Sequence, residues 1–75
     1  MTTPKELSDY IDGMLTDISN EKGISKLNLI VEYQQAANEL YGIIYLQSNY
    51  KPIPLQGEIK IYEAAMETIF NKYIN

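Results

Sequence analysis

The chain has 75 residues, a formal charge of −4, and no histidine, cysteine, arginine or tryptophan. Missing with them are most general bases that titrate near neutral pH, the soft metal ligands, the thiol nucleophile and the bidentate phosphate clamp. The composition therefore points away from catalysis and towards binding. A single domain of this size buries roughly 60% of its unfolded surface, and its core seldom supplies more than about 3–5 kcal/mol. Disulfides and a zinc site are closed to it, so association with a second copy is the remaining source of stability, and a homodimer is expected.

Thr3-Pro4-Lys5-Glu6 fits a capping box. Thr3 stands at the N-cap, Pro4 at the first helical position where its missing N–H costs nothing, and Glu6 three residues after the cap. Leu7, Tyr10, Ile11, Met14, Leu15 and Ile18 then recur at i, i+3, i+4, i+7, i+8 and i+11, a one-sided stripe. This predicts a first helix over about 4–20, with Gly23 left-handed in the following turn.

Ser25 is the expected N-cap of a second helix over 26–47, roughly 33 Å long at 1.5 Å per residue. It carries two apolar rows. One runs through Leu27, Ile30, Val31, Ala37, Tyr41, Ile44 and Tyr45; the other runs through Leu29, Tyr33, Ala36, Leu40 and Ile43. A helix apolar on two flanks is covered from two sides. Ala36 and Ala37 allow a neighbouring helix to come close. Gly42, about 1 kcal/mol worse than alanine in a helix, should serve packing or mark a bend. Taken alone, the run from Tyr41 to Leu46 also reads as a buried strand, because periodicity cannot arbitrate short apolar runs.

The segment from Ser48 to Gly57 is the one substantial linker. The residues before its two prolines, Lys51 and Ile53, are pushed out of the helical region, which predicts a stiff extended strap. A third helix is expected over 58–73, with the stripe Ile59, Tyr62, Ala65, Met66, Ile69, Phe70 and Tyr73. Glu58 near its start and Lys72 near its end both suit the helix dipole. The fold class is all-α: one domain over 1–75, an antiparallel three-helix bundle dimerising through its long middle helix. That helix exceeds its neighbours by about a turn and a half, so part of its apolar surface is expected to be left over for a partner.

The net charge is −4 over residues 1–21, +1 over 22–57 and −1 over 58–75. Direct nucleic-acid binding, which needs a cationic surface, is disfavoured. No apolar run reaches the ~20 residues of a membrane span, and the N-terminus lacks the order of a secretory signal. The expected setting is soluble and cytoplasmic, with no membrane partner.

Among seven tyrosines, Tyr33, Tyr41 and Tyr45 lie near one line down the second helix, and Tyr50 sits in the strap. Tyrosine buries a large area while keeping one polar tip, so these residues read either as core with hydroxyls outward or as a contact stripe with Tyr50 as an outlying anchor. The carboxylate pairs Asp9/Asp12 and Glu63/Glu67 share helix faces and could in principle perform acid–base work or hold Mg²⁺ or Ca²⁺. No calcium-loop motif accompanies them, and a solvated face explains them. No catalytic residue, cofactor or metal is expected.

Three resemblances are local or compositional. Size, acidity and helical content are similar to those of small phage- and plasmid-encoded inhibitors, in which carboxylates stand in for DNA phosphates; Asp9, Asp12 and Asp17 would do so here. Gln56-Gly57-Glu58-Ile59-Lys60-Ile61-Tyr62 resembles the peptide by which bacterial proteins dock on the replication sliding clamp, with Tyr62 in place of the usual phenylalanine. The third helix also accounts for these residues. Ser25-Lys26-Leu27 resembles the modified serine of acyl carrier proteins, except that Ile24 replaces the aspartate expected before it. An N-cap role explains Ser25 equally.

The expectation is a non-catalytic protein-binding module that inhibits or regulates a protein partner. Tyr33, Tyr41, Tyr45 and Tyr50 would make apolar contact, and Asp9, Asp12 and Asp17 would form a charged patch. The runner-up is a phage-type inhibitor of a DNA-binding or replication protein, acting as a DNA mimic or clamp binder. An acyl-carrier-like role comes third.

Overall fold

The computed structural model describes residues 4–74, and no strand occurs among them. Three helices follow in order: α1 Pro4–Lys22, α2 Lys26–Gln47 and α3 Leu55–Tyr73. The chain is an all-α three-helix bundle. Tyr41–Leu46, open to a strand reading, is helical throughout. Thr3, the expected cap of α1, lies outside the described residues.

α1 runs two residues past its expected end and closes as anticipated at Gly23, whose φ of +67° is left-handed. The Ser19 carbonyl accepts the N–H groups of both Gly23 (3.0 Å) and Ile24 (3.2 Å), while the Ser19 hydroxyl donates to the Ile24 carbonyl. Ser25 then occupies the N-cap position of α2, but its side chain makes no capping hydrogen bond, contrary to the role expected of it. Its carbonyl alone serves the helix, accepting from the N–H of Leu29 at 3.2 Å.

α3 begins at Leu55 rather than 58. Pro54 is its N-cap, with ψ of 161° and a carbonyl that accepts from the N–H of Glu58 at 3.0 Å. Gln56 and Gly57 look like linker by propensity. They fall in the first turn, where N–H groups have no intrahelical partner to lose. Gly57 has a specific use, since a Cβ there would stand 2.9 Å from Cγ2 of Ile53. The missing side chain lets Ile53 tuck against the helix it precedes. Gly42, expected to serve packing or mark a bend, meets nothing within 4 Å at a Cβ position, so it allows no close approach.

Two apolar clusters hold the helices. The larger joins Leu7, Ile11, Leu15 and Ile18 of α1 to Leu29 of α2 and to Met66 and Ile69 of α3, with Ile30 and Tyr33 packed against it. The smaller comprises Ala37, Ile61 and Ala65, covered by Tyr33, Ala36, Leu40 and Ile53. Ala37 thus opposes Ala65 as small residues at a close approach. The expected stripes shift at two tyrosines: Tyr10 and Tyr62 are exposed, and Ile61 takes the buried position on α3. A phenol can lean outward from the edge of a stripe and keep its hydroxyl in water, whereas Ile61 has nothing to gain outside.

α2 and α3 are antiparallel, and a polar clamp marks the far end of their contact. Glu32 accepts from Lys72 Nζ (2.6 Å) and from the Tyr73 hydroxyl. These two donors hold the Glu32 carboxyl below its usual range, Lys72 foremost. The carboxylate in turn raises Lys72 and Tyr73 above their ordinary values.

α1 contributes only to the larger cluster, so it covers the first half of α2 and leaves the second half to α3 and the strap. α2 is three residues longer than either neighbour, less than the turn and a half expected. Its uncovered surface arises from where α1 packs, not from extra length.

Candidate protein-docking surface

The last two turns of α2, Leu40 to Leu46, contain no charged residue, and Tyr41, Ile43, Ile44 and Leu46 are exposed. A helix apolar around its whole circumference belongs in an interior. Here only one side is covered, by Leu40 and Ala37 against the smaller cluster. Between Glu39 and Glu58 the single charge is Lys51.

The turn that ends α2 carries the aromatic part of this surface. The N–H of Tyr50 bonds to the Tyr45 carbonyl (2.9 Å) and that of Asn49 to the Leu46 carbonyl (3.2 Å), the paired 6→1 and 5→2 bonds of a Schellman motif. Ser48 adds its hydroxyl, donating to the Tyr45 carbonyl at 2.9 Å. The motif needs one left-handed residue, usually glycine. This chain has two in succession, neither of them glycine: Asn49 at φ 60° and Tyr50 at φ 65°. Asparagine tolerates this region, but a bulky aromatic residue there costs about 1–2 kcal/mol.

The strained backbone sets the Tyr50 ring edge-on to Tyr45, centroids 5.6 Å apart at 78°, and Tyr45 stacks with Tyr41 at 6.2 Å and 19°. Three rings form a continuous row, with Tyr50 65% exposed at its end. Such pairs contribute about 0.5–1.5 kcal/mol each, which offsets the strain at Tyr50.

The expected site residues do not all meet here. Tyr41, Tyr45 and Tyr50 do; Tyr33 does not. It packs between the two clusters and stacks with Tyr62 at 6.3 Å, and burial pushes its phenol up to about 12. Asp9, Asp12 and Asp17 are exposed on α1. Asp12 pairs with Lys26 Nζ at 2.9 Å, at the start of α2. Tyr45 lies nineteen residues further along that helix, about 28 Å at 1.5 Å per residue. Asp12, tied to the start of α2, therefore lies far from the tyrosine row.

Ile43 and Ile44, which spacing placed in the two apolar rows of α2, and Leu46 and Leu55, which lie in neither row, are exposed but were not among the expected site residues. The signal that finds them is the length of uncharged sequence from Leu40 to Gly57, rather than any periodicity. A second feature flanks α1. Leu7 and Ile11 border a groove of about 570 Å³ on one side, with Tyr10, Glu63, Met66 and Phe70, and one of about 290 Å³ on the other.

Ser25 is exposed at the α1–α2 turn, and Gln56 to Tyr62 lie in α3. Binding the latter as an extended peptide would require unwinding the start of that helix. Among the described residues no group of three carboxylates converges to hold a metal ion, and no helix is long and apolar enough to cross a membrane. Comparison with protein-family models, with curated proteins and with solved structures finds no match to this chain.

Proposed function

We propose that this chain is a protein-binding module that regulates or inhibits by occupying a surface, with no chemistry of its own. The observation that carries the reading is the uncovered apolar end of α2, where Tyr41, Ile43, Ile44, Leu46 and Tyr50 stand exposed in a run whose one charge is Lys51, with Glu58 of α3 beside Tyr41 at its edge. Tyrosine and aliphatic groups clustered at low charge are the composition of an interface centre. Tyr50 supports it further, because its left-handed backbone and its edge-on contact with Tyr45 set a ring that is 65% exposed at the end of the row. The acidic face of α1, with Asp9 and Asp17, is a separate surface that tunes which partners approach, through a field that salt screens.

The absence of cysteine makes the test clean. A benzophenone attached to Leu46→Cys should cross-link to protein in an extract of the source cells, and the same probe on Leu27→Cys, exposed at the opposite end of α2, should not. Equal labelling from both positions, or none from Leu46→Cys, refutes the reading. Charge reversal of Asp9 and Asp17 to lysine should weaken capture only at low salt. If capture disappears in 0.5 M salt and tolerates Tyr41→Ala, carboxylate mimicry of DNA is the better account.

A further inference from the structure

We infer that the groove between α1 and α3 is a second docking surface, and that it takes a basic amphipathic helix of a partner protein, with apolar anchors on its floor and lysine or arginine against both lips. The inference goes beyond the reading above, because this groove shares no residue with the α2 end.

The groove measures about 570 Å³. Its floor is Leu7 and Ile11 of α1 with Met66 of α3, all members of the larger core cluster. Tyr10, 59% exposed, and half-buried Phe70 form its walls. At 3.6 residues per turn, Tyr10 and then Glu6 come next round α1 from Leu7. Round α3 from Met66, the order is Phe70, Glu63 and Glu67. In section the groove is therefore acidic, aromatic, aliphatic, aromatic and acidic again.

Every charge that lines the groove is negative. Glu63 and Glu67 have no ion-pair or hydrogen-bond partner among the described residues. They stand one turn apart, where like charges destabilise a helix and a facing pair of cations reverses the sign. Lys60, one turn before Glu63, and Lys5, next to Glu6, are exposed and do not line the groove. Asp17 and Glu21 stand on the side of α1 that Glu6 and Tyr10 define, so that side stays acidic to the end of the helix. Glu6, Glu63 and Glu67 do not gather to hold a metal ion. They are divided between two lips, as the charged flanks of a docked helix require.

The charges select the occupant. Acidic lips repel nucleic acid and anionic lipid. They also repel a second copy, because no helix of this chain offers two lysines one turn apart. Lys5 and Lys22 stand at opposite ends of α1, Lys26 is alone in α2, and Lys60 and Lys72 are more than three turns apart in α3. A helix with an apolar stripe at i, i+3, i+4 and i+7 and cations on both flanks matches the section of the groove. One of those cations can lie over the exposed ring of Tyr10, which stacks with no other ring among the described residues.

The probe is a synthetic peptide of leucine and lysine, about 18 residues long so that it can hold a helix, with leucine at i, i+3, i+4 and i+7. Calorimetric titration into the full chain at low salt should show one peptide bound per chain, with affinity falling at least tenfold in about 0.5 M salt. Glu63→Lys combined with Glu67→Lys should weaken binding at least tenfold. In exchange it should accept the same peptide with glutamate in place of lysine. Both positions are exposed, so the helical circular dichroism should match the parent's. Glu39→Lys, exposed on α2, should change affinity less than twofold. No heat of binding, or a double variant that binds the leucine–lysine peptide as the parent does, overturns the inference. So does equal binding of a serine–lysine peptide, which would reduce the attraction to net charge, and so does preference for vesicles of anionic lipid or for RNA. Binding lost with Leu46→Lys and kept by the double variant moves the peptide to the α2 end; it overturns this assignment and leaves the protein-binding reading standing.

Discussion

Replacing Gly57 with alanine should destabilise the fold, although alanine is the better helix former. The added methyl would stand 2.9 Å from Cγ2 of Ile53, well inside the ~3.5–4.0 Å of an ordinary carbon contact. Ile53 cannot yield cheaply: its χ1 is stiff, the prolines on either side restrict its backbone, and it covers the cluster of Ala37, Ile61 and Ala65. Overpacking of this kind costs about 1–3 kcal/mol, against a gain of at most about 1 kcal/mol from the Gly→Ala exchange in a helix. The net is a loss of about 1 kcal/mol, which lowers Tm by roughly 4–8 °C in a domain of this size. Gly13 and Gly42 are internal controls, because a Cβ there meets nothing within 4 Å. Alanine at either should raise stability by about 0.5–1 kcal/mol. Thermal and urea unfolding at low micromolar concentration would measure all three. The decisive variant is the double change. With Ile53→Ala already in place the obstructing methyl is gone, and Gly57→Ala should become stabilising. If Gly57→Ala behaves like Gly13→Ala in the parent, or stays harmful beside Ile53→Ala, the close approach is not what excludes a side chain.

The phenol of Tyr33, raised to about 12 by burial beside Tyr62, remains protonated when the unfolded chain would ionise it near 10. Its contribution to stability is therefore complete below about pH 10 and is lost as pH climbs towards 12. A 295 nm absorbance titration should show a late step that Tyr33→Phe removes. The Glu32 clamp has an acid edge of the opposite sense. Its depressed carboxyl stabilises the fold above the ordinary glutamate value of 4.5, and the benefit fades as pH falls through the lowered value. At the alkaline end the raised Tyr73 and Lys72 lose their protons and release it. Glu32→Gln should thus lower Tm most at neutral pH, and the gap from the parent should narrow in acid; a constant gap from pH 7 to 3 would show that the ion pair adds nothing. Asn49→Gly should raise stability by about 0.5–1 kcal/mol, since glycine takes φ 60° without strain, and calorimetry showing a loss would mean that the Asn49 side chain contributes more than its backbone costs.

What the sequence determined by itself is the secondary structure wherever local chemistry is sufficient. The bounds of α2, the buried row Leu7, Ile11, Leu15 and Ile18, and the left-handed turn at Gly23 all follow from period, the breakers that flank the helix and one residue without a Cβ. The start of α3 was not legible, because Gly57 reads as linker until Ile53 is seen filling the space beside it. The tyrosines show the same division. Spacing put Tyr33, Tyr41 and Tyr45 near one line, yet Tyr33 lies between the clusters against Tyr62 while Tyr41 is exposed and Tyr45 is half-buried in the ring row with Tyr50. Periodicity reports which side of a helix is apolar, but coverage depends on where the neighbouring helix packs. Only the tertiary structure settles that α1 meets α2 at Leu29, Ile30 and Tyr33, ties Asp12 to Lys26, and does not reach Tyr41 to Leu46. The apolar residues were plain in the sequence; their exposure follows from packing between segments distant along the chain, which no local rule encodes.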